Sequence, residues 1–197
     1  LLFLLKNKYI RDNYYISDIN TNRVFMHYGL DNIFLTKVKL DDITVYGLPS
    51  LQMDSFLTGK IGDYMIGTFQ LHSGSEYTDF RKVQLRTILK IFKNKKFILT
   101  GDFNFTDNEE EISIIKHLKD PWNTKKDPGF TEDTYINSMR YTIKGKHKQV
   151  RFDKFIHNDN KLVVINQQII GKDEIKDGIW ISDHFGLLTT IKLKSFI

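Results

Sequence analysis

Short runs of β-branched and aromatic residues, interspersed with polar ones, fill two segments of the first half of the chain, Ile33–Val45 and Ser55–His72. Turn-like stretches at 47–49 and at Gly62-Asp63 interrupt them. Such runs favour extended strands, and Gly, Pro and Asp favour the turns between them. The pattern therefore predicts antiparallel strands joined by short connections.

The spacing of apolar residues then changes from strand-like to helical between Glu76 and Phe92, with basic residues in between. Ser75 stands where a capping side chain is expected, because a serine oxygen can accept a hydrogen bond from the first turn. An amphipathic helix is predicted here. Its expected apolar residues are Phe80, Val83, Ile88 and Ile91.

A short apolar run from Phe97 to Thr100 predicts a buried strand, which is expected to end where Gly101 begins a loop. Interleaved strands and helices indicate a mixed α/β (α+β) fold with two sheets. No repeat or linker divides the sequence, so we predict one domain over 1–197. Further strands are predicted at Arg151–His157, Lys161–Ile165 and Leu187–Lys194.

The composition narrows the chemistry that the fold can carry. With 41% hydrophobic and 27% charged residues among 197, the chain should fold around a core. It has no cysteine, which excludes a disulfide framework, a thiolate zinc site and a cysteine nucleophile. No apolar run reaches the roughly 18 residues that a membrane span needs, and the opening Leu-Leu-Phe-Leu-Leu lacks the features of a signal peptide.

The charge of the chain is compatible with a polyanionic partner. Its formal net charge is +5, and basic residues cluster in a way that suits nucleic acid. The alternative is a compositional bias, since the chain contains no alanine and is rich in residues typical of AT-rich coding sequence. The two basic clusters are Lys93, Lys95, Lys96 and Lys144, Lys146, Lys148.

Two polar residues that could act in catalysis, Asp102 and Asn104, follow the predicted buried strand directly. Alternation along the chain would point both side chains the same way, into a cleft at the end of the strand. The carboxylate can act as a base or a metal ligand, and the amide can orient a water. Asp and Asn are also common turn formers, and that alternative stays open.

A second candidate motif, Asp183-His184, stands just before the last predicted strand. An acid beside a histidine favours the imidazolium, which can bind a phosphate oxygen, although a solvated turn is equally compatible. Asp153, predicted to share a strand face with Arg151, could hold His184 by its ring N–H. The alternative is an Arg151–Asp153 pair at a solvated edge.

Taken together, these motifs resemble the endonuclease/exonuclease/phosphatase (DNase I-like) superfamily, and within it the tyrosyl-DNA phosphodiesterase 2 family. The resemblance covers nearly the whole chain and implies a four-layer α/β/β/α sandwich whose N-terminal part is missing. The segments that carry it are Thr68–Ser73 with Arg81–Leu85, Leu99–Asn104, Asp120–Trp122, Phe130–Ser138, Arg151–Lys154 and Ser182–Leu187.

This resemblance implies a phosphodiesterase that uses Mg2+ or Mn2+. Asp102 would activate the attacking water and share in metal binding, and Asn104 would orient the water and contact phosphate. Asp183 would help hold the metal. His184 would stabilise the transition state, with Asp153 orienting its ring. Substrate contacts would come from Gln70, His72, Arg81 and Asn137.

The chain departs from the resembled family at three places. The family's Asn and Gln-Glu motifs would lie before Leu1, and that Glu is its principal metal ligand, so weak metal binding is expected from these residues alone. Gln70 replaces a family histidine; His72 lies two residues later, where a packed or solvated side chain is the alternative to a substrate contact. Glu132 stands where the family has Trp.

We therefore expect a Mg2+-dependent phosphodiesterase that acts on nucleic acid, DNA rather than RNA, with a 5′-linked adduct as one candidate substrate. Two alternatives stay open. One is an inositol-phosphate or lipid phosphatase of the same superfamily, and the other is a catalytically inactive binding protein of this fold. A monomer in the cytoplasm or nucleus is expected, and nothing indicates secretion.

Overall fold

The computed structural model describes residues 6–17 and 32–194. The opening leucine-rich run lies outside the described residues. The helices are α1 (Lys8–Asn13), α2 (Thr78–Ile91), α3 (Ile112–Ile115) and α4 (Met139–Lys144), with a 3-10 turn at Ser75–Tyr77. The strands are β1 (Tyr15–Ile16), β2 (Leu35–Thr36), β3 (Asp41–Gly47), β4 (Ser55–Ile61), β5 (Tyr64–Gln70), β6 (Lys96–Asp102), β7 (Glu132–Asp133), β8 (Gln149–Val150), β9 (Asp153–His157), β10 (Leu162–Ile170) and β11 (Gly186–Leu193).

The largest sheet has five strands in the order β3-β4-β5-β6-β9. β3, β4 and β5 are antiparallel neighbours, which confirms the prediction from the first half of the sequence. β6 runs parallel to β5, as expected when a helix joins two strands of one sheet. β9 then pairs antiparallel with β6. The sheet is therefore mixed, and its three central strands are β4, β5 and β6.

Side-chain alternation divides the core into two layers on opposite faces of this sheet. Phe97 and Leu99 of β6 belong to the larger, aromatic-rich cluster, which also contains Leu85 of α2. Ile98 belongs to a smaller cluster on the other face. Because neighbouring residues of a strand point to opposite faces, Asp102 lies on the same face as Ile98.

The second sheet is the antiparallel pair β10-β11, with an irregularity between Val164 and Asn166. Leu162, Val164 and Leu187 pack it against the smaller cluster, so it covers the face of the central sheet opposite α2. Helix, sheet and second sheet thus lie in layers, and the predicted mixed α/β class is confirmed. Besides these two sheets, the short strands form two further pairs, β1-β2 and β7-β8. No helix within 6–17 and 32–194 combines the length and apolar character that crossing a membrane needs.

The predicted apolar face of α2 is partly wrong. Val83 is 45% exposed, whereas Arg81 and Gln84 are buried beside Leu85 and Ile88. Polar side chains can turn towards a core when partners there satisfy them. A pattern based on hydrophobicity records only the apolar residues. It placed Ile88 correctly, but it included Val83 and missed the buried Arg81 and Gln84.

Two other strand predictions need correction. β6 continues through Asp102 rather than ending before Gly101. Arg151 belongs to neither β8 nor β9, and it forms ion pairs with Asp107 and Asp120 at 2.7 and 2.6 Å. The alternative of a solvated Arg151–Asp153 pair is therefore wrong, because those acids take up the guanidinium of Arg151.

Candidate active site

Three polar residues on neighbouring strands form a row across the sheet. Gln70, the last residue of β5, is level with Asp102 at the end of β6, and Asp102 is level with Asp153 at the start of β9. All three lie on the face that carries the smaller apolar cluster, by the alternation of the strands. The strand register therefore brings together residues that are 32 and 51 positions apart in the sequence.

Asp102 is held by donors from two directions. Its carboxylate accepts hydrogen bonds from Gln70 Nε2 at 3.1 Å and from the backbone N–H of Asn104 at 2.8 Å. Burial and the negative charge of Asp153 raise the pKa of Asp102 to about 6, although His184 and these hydrogen bonds oppose the rise. The carboxyl group therefore exchanges its proton near neutral pH, as a general base requires.

The turn after Asp102 depends on two unusual backbone conformations. A Cβ on Gly101, whose φ is 149°, would lie 2.1 Å from the carbonyl oxygen of Phe69, so only glycine fits there. Asn104 has a φ of 53°, and its amide donates to Asp102 at 3.1 Å and to the carbonyl of Leu71 at 2.7 Å. Asp102 and Asn104 thus meet through a tight turn, not through the strand alternation that the sequence analysis assumed.

His184 sits beside this row and is fixed by Asp153. Its Nδ1 is 2.8 Å from Asp153 Oδ2. Burial lowers the pKa of His184, but the hydrogen bond and charge of Asp153, with the charges of Asp102 and Asp183, outweigh it and raise the pKa to about 9. At neutral pH the ring is an imidazolium. The structure shows the contact with Asp153 that was predicted, and the orienting role of Asp153 stays a prediction.

These groups line one cleft of about 930 Å³. Further lining is supplied by residues 132–150, which run from β7 through α4 to β8 and are called the arm below. Three charged residues of the arm enter the cleft: Glu132, Arg140 and Lys148. The cleft therefore combines acids, an imidazolium and two further cations, and the cations from the arm are paired with acids in its lining.

Glu132 and its two cations were not predicted as site residues. Glu132 is 1% exposed, and its Oε2 accepts a hydrogen bond from Lys148 Nζ at 3.0 Å and lies 3.8 Å from His184 Nε2. Arg140 Nη1 is 3.3 Å from Asp183 Oδ2. The sequence singled out Lys148 only as part of a basic cluster and gave no signal for Arg140, because the folding of the arm brings both residues to the cleft.

Three predicted substrate contacts are corrected by burial. Arg81 is fully buried and donates to Glu111 Oε1 at 2.7 Å. His72 is 1% exposed, with Nδ1 3.0 Å from Asp54 Oδ2. Both side chains therefore support the scaffold, and the packed alternative given for His72 applies.

The third correction concerns Asn137, which is 1% exposed. Its amide donates to the carbonyl of Ser182 at 2.7 Å, and its Oδ1 accepts from the backbone N–H of Met139 at 3.1 Å. Asn137 thus fixes the loop before His184 to the arm, and it does not face a substrate. Gln70, the fourth predicted contact, does line the cleft.

The expected metal ligands do not form a metal site among the described residues. Within 6–17 and 32–194, no group of three or more His, Asp or Glu side chains could hold an ion. Asp183 is turned towards Arg140, and Asp102 is occupied by donors from Gln70 and Asn104. A hard dication needs several free oxygens, so these residues alone do not fit Mg2+ or Mn2+.

Comparison with known proteins finds similarity in structure but not in sequence families. No protein-family model matches the chain, and no curated protein sequence matches it. Among solved structures, D. rerio TDP2 complexed with single strand DNA product has a TM-score of 0.72 at 21% identity, over 97% of this chain and 80% of that one. Truncated Caenorhabditis elegans TDP2 has a TM-score of 0.67 at 22% identity, over 93% and 77%.

The same fold extends beyond these two proteins. The endonuclease/exonuclease/phosphatase from Bacteroides vulgatus has a TM-score of 0.57 at 16% identity, over 79% of this chain and 66% of that chain. Together the three likenesses establish the DNase I-like fold that the motif order in the sequence predicted. Sequence identities of 16–22% establish only the fold. The reaction depends on the residues of the cleft.

Proposed function

We propose that this chain, which has the endonuclease/exonuclease/phosphatase fold, hydrolyses phosphodiester bonds in nucleic acid. The observation that carries the proposal is the row of Gln70, Asp102 and Asp153 with His184 beside it, at one end of the sheet and open to a cleft. The similarity to D. rerio TDP2, solved with single strand DNA product, supports the choice of substrate class.

Asp102 is the base in this proposal. With its pKa raised to about 6, its carboxylate accepts a proton from a water molecule at neutral pH, and Asn104, hydrogen-bonded to it, orients that water. The water oxygen forms a bond to phosphorus, and the bond from phosphorus to the leaving oxygen breaks. In-line attack places the water and the leaving group on opposite sides of the phosphate.

His184 stabilises the charge that grows on the phosphate oxygens. Its imidazolium donates through Nδ1 to Asp153, which leaves Nε2–H to face the phosphate in the cleft. A charged donor already fixed in place is worth more in the transition state than one that must reorganise. Gln70 can add a neutral hydrogen bond from its second amide proton.

Nucleic acid is favoured over inositol phosphates or lipids by the charge around the cleft. Arg140 and Lys148 enter it from the arm, and Lys144 and Lys146 are exposed further along the same arm. Several cations in sequence along a surface match a polymer with a phosphate on every residue. We propose DNA as the nucleic acid and a 5′-linked adduct as its finer substrate class.

The metal requirement is a separate part of the proposal. When bound, Mg2+ would neutralise phosphate charge, but the described residues do not form its site, so no step above passes through an ion. Following the sequence resemblance, we expect hydrolysis in Mg2+ or Mn2+ and its loss in excess chelator. Equal rates with and without chelator would remove the metal from the proposal and leave the residue roles unchanged.

Hydrolysis of short oligonucleotides tests the main proposal. We expect single-stranded DNA carrying a 5′-tyrosyl phosphodiester to be cleaved, and Asp102→Asn to lower kcat by about 10²–10³-fold, as for loss of one catalytic electrostatic group. Asp79→Asn is the matched control, since that side chain is 96% exposed on α2.

Three results would count against the proposal. If tyrosyl, abasic and nicked DNA all stay uncut, the chain is not a nuclease of this type. Turnover of inositol phosphates in their place would assign the cleft to a phosphatase. Tight oligonucleotide binding without turnover of any substrate would make it a binding protein.

A further inference from the structure

The outer surface of the arm carries a stack of three rings. His147 lies between Tyr135 and Tyr141, with ring centroids 4.2 and 4.3 Å away and interplanar angles of 7° and 17°. Nearly parallel rings at this distance form a continuous π-surface. This stack belongs to neither apolar cluster of the core, so core packing does not account for it.

The stack is exposed and ends in an open face. Tyr135 is 66% exposed and Tyr141 is 39% exposed. Among the residues that the structure describes, Tyr135 makes a ring contact only with His147. A flat aromatic face of this kind can receive one more ring, and solvent covers it otherwise.

The stack is also held in place before any ligand binds. His147 Nδ1 is 3.3 Å from the hydroxyl of Thr134, which is itself buried and hydrogen-bonded to both backbone groups of Lys148. Gly145 ends α4 in the left-handed conformation, with a φ of 62°, and so returns the chain towards β8. A preformed surface loses less entropy when a ligand binds than a disordered one does.

Positive charge lies close to the stack along the chain. Lys144 and Lys146 precede His147, both are exposed, and neither forms an ion pair with any residue in 6–17 or 32–194. Lys148 follows His147 and reaches the cleft. Stacking rings interleaved with free cations are the pattern that recognises single-stranded nucleic acid, where bases stack and phosphates meet lysine.

We propose that Tyr135, His147 and Tyr141 form a stacking site for a base of single-stranded nucleic acid outside the cleft, with Lys144 and Lys146 contacting the adjoining phosphates. This inference rests on the proposed function for the strand that enters the cleft, but its ligand contacts are separate from the reacting groups. A strand of several nucleotides, which reaches both the cleft and the stacking site, would then bind more tightly than a substrate with a single phosphodiester.

Fluorescence anisotropy with labelled oligothymidylates of two and ten nucleotides tests the site. Binding is measured in the Asp102→Asn background, in which any cleavage of the DNA is expected to be slow. We expect Tyr135→Ala to weaken binding of the ten-nucleotide strand by about 5- to 150-fold, the range for losing one stacked base. Binding of the dinucleotide should not change, and Tyr135→Phe should retain the affinity, because phenylalanine keeps the ring.

Two controls separate stacking from charge and from folding. Tyr9→Ala removes a tyrosine of similar exposure, 61%, from α1, and should leave binding unchanged. A ten-base-pair duplex, whose bases are already stacked, should bind Tyr135→Ala as it binds the parent. Lys144→Gln and Lys146→Gln should each reduce the slope of log Kd for the single strand against log salt concentration by about 0.7.

The proposal is overturned if Tyr135→Ala binds the ten-nucleotide strand as tightly as the parent does. It is also overturned if the variant loses dinucleotide and duplex binding to the same extent, since the rings would then only hold the arm in shape. These outcomes are independent of turnover. If the unmodified chain cleaves nothing but the length-dependent effect of Tyr135 persists, the proposed hydrolysis fails and the stacking site stands.

Discussion

Two polar clusters built from similar residue types lie on opposite faces of the central sheet. On the cleft side, Asp153 binds His184 through Nδ1, whereas Nε2 has no hydrogen bond to the described residues and lies 3.8 Å from Glu132 Oε2, another residue that lines the cleft. On the helix side, Arg81 is fully buried, and its donors are taken up by Glu111, the carbonyl of His72 and other acceptors. One cluster leaves donors for a ligand, and the other satisfies its donors internally.

This difference shows that residues of the same sequence motif can have two roles: some can contact a ligand, and others hold the fold together. Arg81, His72 and Asn137 belong to the same motif segments as the cleft residues, yet each is at most 1% exposed. Buried polar groups must be paired, so they become fixed structural contacts. The sequence motifs contain both the cleft residues and the buried residues. Only the exposure of each side chain in the folded structure tells which of them can contact a ligand.

Breaking the buried cluster should have the largest effect. Arg81→Met leaves Glu111 buried without its partner, and we expect the free energy of unfolding to fall by about 3–5 kcal/mol. Urea denaturation followed by circular dichroism measures this. The double variant Arg81→Met/Glu111→Leu should recover most of the loss, because both charges are then absent.

A stable Arg81→Met protein with a low kcat would contradict the distinction between the two clusters. Arg81 would then contribute to the reaction rather than to the scaffold. If the single variant does not fold, Arg81→Lys provides the same comparison with the charge kept, and a loss of about 1–3 kcal/mol is expected from its missing hydrogen bonds.

Breaking the cleft cluster should reduce the rate while keeping the fold. His184→Gln removes the charged donor, and we expect kcat to fall by about 10²–10³-fold with cooperative unfolding preserved. His117→Gln, an exposed histidine elsewhere on the surface, is the matched control and should leave kcat unchanged. Loss of cooperative unfolding in His184→Gln alone would place His184 in the scaffold instead.

The pH dependence of the rate tests the roles of the cleft residues while Asp102, the proposed base, is kept. Activity should rise with pH as Asp102 loses its proton near its pKa of about 6, and fall as the pKa of His184, about 9, is passed. The negative charge of Asp153 raises the pKa of Asp102 and the pKa of His184. Asp153→Asn should therefore move both limbs of the profile to lower pH, together with a rate loss of about 10- to 100-fold.

NMR titration of the His184 ring in the same variant provides an independent measurement. A lower pKa of His184 with the profile unmoved would mean that the alkaline limb belongs to another group. An unchanged pKa of His184 would mean that the contact with Asp153 does not orient or charge the ring.

Strands and turns of the sheet could be predicted because their causes are local. The runs before His72 contain the alternation and the turn residues that define β3, β4 and β5, and Asp102 was correctly expected beside a buried strand. The order of motifs also identified the fold. A few neighbouring residues determine each strand and turn, whereas the fold was identified from motifs spread between Thr68 and Leu187.

The cleft wall could not be predicted, because it depends on contacts between distant segments. Glu132 enters the cleft together with Arg140 and Lys148 only after the arm folds between β7 and β8. Asp183 was expected to bind metal, and its contact with Arg140 across 43 positions is invisible in the sequence. The same is true of Asn137, whose amide proved to hold the loop before His184.

The smallest expected effect comes from the surface of α2, at the one predicted apolar residue of this helix that the structure places in solvent. Val83 was expected in the apolar face but is 45% exposed, whereas Leu85 is fully buried. Val83→Lys should change the free energy of unfolding by no more than about 0.5 kcal/mol, as is usual for exposed positions.

Leu85→Ala is the matched change on the buried side, and it should cost about 2–5 kcal/mol because it leaves a cavity in the core. Urea denaturation of both variants compares the two sides directly. A cost above about 2 kcal/mol for Val83→Lys would mean that Val83 packs in the core, as its hydrophobicity predicts, and would contradict its exposed position. A small effect of Val83→Lys would therefore support the orientation of α2 in which Arg81 is buried against Glu111. The contrast between the two polar clusters rests on that orientation.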